Sequence, residues 1–244
     1  MSSFLDKLER GVLDEAVPLT NLLRQVVVIG GRASSPALRE WALRELQGYS
    51  DSQVELPDYR KLACLLQVDI RTAAGAGTQM TISTLDLPED AQRYVDYEAP
   101  IPFSVGRIET LISRAAPGEP VKLTPPGAAE LARLMTFDRR EQGVVVDAVY
   151  WAVDVSALQD ILDQLRTRLA QFVAELRSTM PPGEQDPTPA QVRQAVQHIN
   201  ITAGDHSPVT VTAPMAYTGG QGMASAGAPD PQARCRWFLW WRRP

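Results

Sequence analysis

From Ser156 to about Ser178 the chain places Leu158, Ile161, Leu162, Leu165, Leu169, Phe172, Val173 and Leu176 at helical spacing. This predicts one long amphipathic helix. Its opposite face carries Asp160, Asp163, Arg166 and Glu175, and Ser156 with Gln159 form an S-x-x-Q capping box at its start. An apolar stripe of that length has to be covered by other elements, so the rest of the fold must be built around it. The residues just before it, Val144 to Val155, are β-branched and aromatic and predict a strand.

Toward the N-terminus the pattern is helical. A short helix is predicted over Ser3 to Val12. Leu19, Leu22, Leu23, Val26 and Ile29 predict a second, with Pro18 at its first turn and an end at Gly30-Gly31. Ser35-Pro36 reads as an N-cap followed by a first-turn proline, Leu38, Trp41, Ala42 and Leu46 supply the stripe, and Gly48 the stop. The texture then changes. Leu62 to Arg71 and Thr78 to Thr84 alternate around Ala73 to Gly77, which predicts a β-hairpin. Leu87 to Asp90 begins a short helical turn, Ser104 to Ala115 forms a helix, and Thr124-Pro125 opens another through Met135. The expected fold is therefore α+β: an N-terminal helical lobe, a small mainly antiparallel sheet and a long helix packed on it.

Several blocks in this order carry a resemblance: Val17-Pro18-Leu19, Leu22-Leu23-Arg24, Leu38-Arg39-Glu40-Trp41, Glu45-Leu46-Gln47-Gly48-Tyr49 and Leu56-Pro57-Asp58-Tyr59-Arg60. Together with the strand AVYWAVDV and the helix that follows, they resemble AbiTii domains over roughly residues 3 to 178. Such domains occur in predicted bacterial abortive-infection and other phage-defence proteins. The resemblance implies a defence setting and supplies no active-site motif.

Beyond residue 178, Pro181-Pro182-Gly183, Pro187 and Pro189 predict a linker over 179–189. Gln191 to Gln197 reads as a short helix. His198 to Thr202 and Pro208 to Thr212 alternate and predict a second hairpin within 190–217, which should pack on the domain or pair with another copy. Residues 218–244 are dominated by Gly, Ala and Pro, are expected to be flexible, and end in a Trp/Arg cluster.

Catalytic signals are sparse. The histidines, His198 and His206, fall in the second hairpin, and no zinc-protease, P-loop, dinucleotide or nucleophile-elbow pattern occurs. Neither a cofactor nor a metal is expected. Acidic pairs such as Glu55 with Asp58 or Asp138 with Glu141 are the carboxylates a toxin-like, metal-dependent enzyme would use; solvated loop carboxylates are the plainer reading. Cys64 and Cys235 are far apart, with no redox or metal spacing, and Cys64 is expected to be an inert buried thiol.

Arg39, Trp41, Tyr49, Tyr59 and Arg60 form a candidate ligand-binding group, since arginine and aromatics together stack on and pair with nucleotides or nucleic acid. Alternatively Trp41 and Tyr59 fill the core, and the arginines are solvated or salt-bridged. The net charge of −5 gives no global attraction to nucleic acid or anionic lipid, so any basic function is local.

The cluster Arg236, Trp237, Phe238, Leu239, Trp240, Trp241, Arg242 and Arg243 is too short to span a bilayer. It suits a membrane interface, where tryptophan sits at headgroup level and arginine meets anionic lipid. A docked or vestigial tail is the competing reading. MSSFLDKLER lacks the apolar core of a signal peptide, so the chain is expected to be cytoplasmic, with peripheral contact to the inner membrane face through its tail.

The first expectation for function is a non-enzymatic defence accessory module that senses, regulates or recruits through a protein partner or self-association. The alternatives are a nucleic-acid or nucleotide-binding module and a toxin-like enzyme.

Overall fold

The structure is a computed structural model, and it describes residues 4–49, 55–92, 98–181, 184 and 186–198. The second hairpin beyond His198, and the tail, lie outside the described residues.

Helix α1 (Phe4–Leu13) buries Leu5, Leu8 and Val12, and α2 (Leu19–Arg32) buries Leu22, Leu23, Val26 and Ile29. The expected stop at Gly30-Gly31 is corrected, because α2 runs through both glycines. A Cβ on Gly30 would lie 3.0 Å from the Arg39 nitrogen, so this glycine lets α3 (Pro36–Gln47) cross closely over α2. Ser35 and Pro36 take the N-cap and first-turn places. Gly48 ends α3 with φ +92° and its Cα packed on the Pro102 carbonyl, 2.7 Å from where a Cβ would sit.

A 3-10 turn, Asp58–Arg60, leads into β1 (Lys61–Ala63), which breaks from β2 (Leu65–Thr72) at Cys64. The hairpin partner β3 (Gly75–Ile82) starts earlier than expected, so the turn shrinks to Ala73-Ala74. A short helix α4 (Glu89–Gln92) follows. The three-residue strands β4 (Glu98–Pro100) and β5 (Val121–Leu123) were not anticipated, being too short for alternation to register. Strand β1 pairs antiparallel with β4, and the main sheet is antiparallel in the order β3-β2-β6-β5, with β6 at Val145–Val153.

Helix α5 (Val105–Arg114) is capped by the Ser104 hydroxyl, which accepts from the Arg107 N–H. The expected cap at Thr124-Pro125 is corrected. Helix α6 starts at Ala128, after Gly127 in the left-handed region, and runs to Asp138. One face of the sheet carries Leu66, Val68, Ile70, Val146, Val149 and Val153, all buried, and α6 lies against β6.

Strand β6 passes directly into α7 (Val155–Thr179), and every residue of the predicted stripe is buried. The cap is Asp154 rather than Ser156: its carboxylate accepts from the Ser156 N–H at 2.8 Å and from the Ser156 hydroxyl at 2.6 Å. Helix α7 packs mainly against α1, α5, the 58–60 turn and α8 (Pro189–His198). Its polar face also works structurally. Arg166 donates to the carbonyls of Gly11, Val12, Asp14 and Val17, pinning the end of α1 and the turn into α2. Arg177 reaches Asp6 and Glu9 on α1.

Helix α8 includes His198, which the hairpin reading placed in a strand. Val192, Ala195 and Val196 are buried, and Gln191 donates to the Thr179 carbonyl at 2.8 Å. The folded unit thus continues past the proline-rich segment, because α8 supplies apolar residues that α7 covers.

Candidate functional site

The strongest polar constellation gathers most of the candidate ligand-binding group around a residue that the group had left out, Glu45. On α3, Leu38, Trp41, Ala42 and Glu45 share the inward face, so Glu45 occupies a core position. The Glu45 and Arg60 side chains have no exposed surface and form an ion pair. The Tyr49 and Tyr59 hydroxyls both donate to Glu45 Oε1, each at 2.5 Å. Arg60 also donates to the Phe103 carbonyl at 2.6 Å and to the Ile101 carbonyl at 3.4 Å. Its own carbonyl accepts from the Ile101 N–H at 2.8 Å. One cluster thereby ties α3, the 58–60 turn and the chain entering α5.

Its electrostatics follow from burial. Desolvation, and then the negative charge of Glu45, push the Tyr49 and Tyr59 phenols far above their ordinary range, so both stay protonated and act as donors. Trp41, almost fully buried, partly offsets this rise at Tyr59. Arg60 lies 5.4 Å from the Tyr49 ring centre, and Arg168 of α7 sits over the Tyr59 ring at 3.9 Å. Both oxygens of Glu45 are occupied by neighbours within the fold. Such a cluster fixes where α3 meets the turn; removing one member would leave a buried charge uncompensated.

Of the candidate group, Trp41, Tyr49, Tyr59 and Arg60 come together. Arg39 lies on the exposed side of α3, and no hydrogen bond or ion pair joins it to the cluster among the described residues. Glu45 was detectable as a carboxylate falling on an otherwise apolar stripe, four residues after Trp41 and four before Tyr49. The tail residues Arg236, Trp237, Phe238, Leu239, Trp240, Trp241, Arg242 and Arg243 lie outside the described residues.

A second polar group lies on the sheet face opposite α6. Burial would raise the Asp69 pKa, but the Gln79 N–H, the Lys122 ammonium and the Tyr150 hydroxyl together outweigh it and hold Asp69 below the usual range. Lys122 sits 4.3 Å from the Tyr150 ring centre and 2.9 Å from Asp69. Arg71 grips Asp147 through two hydrogen bonds of 2.6 Å. Among the described residues no group of three or more His, Cys, Asp or Glu is placed to hold a metal ion. Nor is any described helix long and apolar enough to cross a membrane.

No curated protein and no solved structure matches the chain. The AbiTii family model matches residues 3–201, which takes in the helical lobe, the buried Glu45–Arg60 cluster, the sheet, α7 and α8. The chain belongs to the AbiTii family, whose name points to abortive infection as a defence against phage.

Proposed function

We propose that this chain is a non-enzymatic module of an abortive-infection system that acts by binding protein, a second copy of itself in the first instance. The observation carrying this reading is an exposed apolar surface at the end of α6. Leu134 and Phe137 on α6 are 40% and 60% exposed, and Leu85 in the turn after β3 is 73% exposed. These segments are fixed beside one another. Arg139 donates to the Asp86 carbonyl at 3.2 Å. Large apolar side chains exposed on adjoining rigid segments are a feature of protein contact surfaces. Arg140, stacked on Phe137 at 4.1 Å, supplies a polar rim. The role of the Glu45–Arg60 cluster in joining elements supports the non-enzymatic part of the reading.

The test is phage plating on cells carrying the intact defence locus with Phe137→Asp in this chain. Loss of protection at an unchanged soluble level is expected. Full protection would show that this surface is not used.

A second reading, nucleic-acid binding, has one specific support. Arg107 stacks on Phe103 and Arg168 on Tyr59, both at 3.9 Å, and neither guanidinium has an acidic partner among the described residues. Stacked arginines of this kind suit bases and phosphates. Salt-sensitive retention of single-stranded nucleic acid, lost in Arg107→Ala/Arg168→Ala, would favour it over assembly.

The tail is proposed as a weak interfacial anchor, with Trp237, Phe238, Leu239, Trp240 and Trp241 in the headgroup region and Arg236, Arg242 and Arg243 on anionic lipid.

A further inference from the structure

The buried line of α6, Ala128, Leu131, Ala132 and Met135, packs toward β6. On the opposite side Glu130, Arg133, Leu134 and Phe137 recur at i, i+3, i+4 and i+7, so they form one outward stripe. All four are exposed. Arg140, in the 3-10 turn that follows, lays its guanidinium over the Phe137 ring at 4.1 Å and donates to the Phe137 carbonyl at 2.9 Å. It thereby prolongs the stripe by one more turn.

The stripe has a polarity. It opens on the Glu130 carboxylate, carries Leu134 and Phe137 within it, and ends on the Arg140 guanidinium. Neither end charge is spent inside the fold. Among the described residues no hydrogen bond or ion pair engages the Glu130 carboxylate, and no carboxylate meets Arg140.

Covering Leu134 and Phe137 with a second α6 lays two such stripes together, either parallel or antiparallel. A parallel pair sets Glu130 against Glu130 and Arg140 against Arg140, which like charges oppose. An antiparallel pair centred near Met135 sets Glu130 against Arg140 at both ends. It also brings Arg133 to the Phe137 ring of the other copy, a cation–π contact, and the two Leu134 side chains to the two-fold axis. The stretch from Glu130 to Arg140 spans about 15 Å at helical rise, so the two ion pairs bracket the apolar centre.

We propose, resting on the reading of this surface as a self-association site, that α6 pairs antiparallel with α6 of a second copy, Glu130 of each meeting Arg140 of the other. Such a contact is closed about its two-fold axis, so assembly stops at the dimer. The charges also select the partner. An unrelated apolar patch offers no basic group opposite Glu130 and no carboxylate opposite Arg140.

The test is sedimentation velocity of the full chain. It compares wild type, Phe137→Asp, Glu130→Arg, Arg140→Glu, the double variant Glu130→Arg/Arg140→Glu, and an equimolar mixture of the two single charge reversals. Each single reversal places two like-charge pairs in its dimer and should raise the dissociation constant about tenfold. The double variant restores opposite charges at both ends, and so does the mixed dimer. Both should therefore associate within about threefold of wild type. Thermal transitions should match throughout, since every substituted position is exposed. A wild type that dimerises, loses the dimer in Phe137→Asp and is indifferent to the single reversals would overturn the antiparallel pairing and leave the self-association reading standing. So would single reversals that weaken the dimer without recovery in the mixture or the double variant. A wild type that stays monomeric would overturn both.

Discussion

Glu45 and Arg60, on elements fifteen residues apart in sequence, form an ion pair in which neither side chain retains exposed surface. Taking one charge away strands the other in the core. Glu45→Gln and Arg60→Met should each cost about 3–5 kcal/mol, read as the shift in urea midpoint at constant slope. The double substitution should cost clearly less than their sum, because it leaves no uncompensated charge. Additive losses would mean that the two groups do not sense each other.

Leu165 is fully buried at the middle of α7. Leu165→Asp should lose about 2–3 kcal/mol from burial alone, with charge desolvation added. Collapse of the cooperative thermal transition is the expected result. A thermal midpoint equal to that of wild type would place this helix face in solvent.

Cys64 reactivity should follow its raised pKa. With Cys235→Ser, the rate of alkylation should be low at neutral pH and rise about tenfold per pH unit until it levels near the thiol pKa of about 11. The sign is fixed by burial, which disfavours the thiolate. A rate that levels off near pH 8 would contradict the half-buried environment.

Limited proteolysis should leave a core that retains α8, since Val192, Ala195 and Val196 are buried and Gln191 bonds back to Thr179. Mass spectrometry of the stable fragment should find its C-terminus beyond His198. A fragment ending between Ser178 and Pro189 would show that α8 contributes nothing to the fold.

The sequence made the long elements legible and left the short ones hidden. The stripe from Leu158 to Leu176 and the alternation in Leu66, Val68 and Ile70 are strong periodic signals, and the structure buries them as expected. Strands β4 and β5 span three residues each and are held by pairing with distant segments, so no local pattern marks them. Gly30 read as a stop because local propensity carries no knowledge of a crossing helix; its use is close packing on α3. Proximity in sequence drew Arg39 into the same group as Arg60, but the helical phase turns Arg39 outward and Glu45 inward. The apolar surface around Leu85 and Phe137 is assembled from two segments far apart in sequence and is visible only after folding.

The central claim, that this chain works by binding a second copy through the α6 surface, is tested most directly by sedimentation velocity of the full chain over a range of loading concentrations, compared with Phe137→Asp. The account predicts a sedimentation coefficient that rises with concentration in wild type and stays at the monomer value in Phe137→Asp, with both proteins showing the same thermal transition. Wild type that remains monomeric throughout, or association that persists in Phe137→Asp, would contradict it.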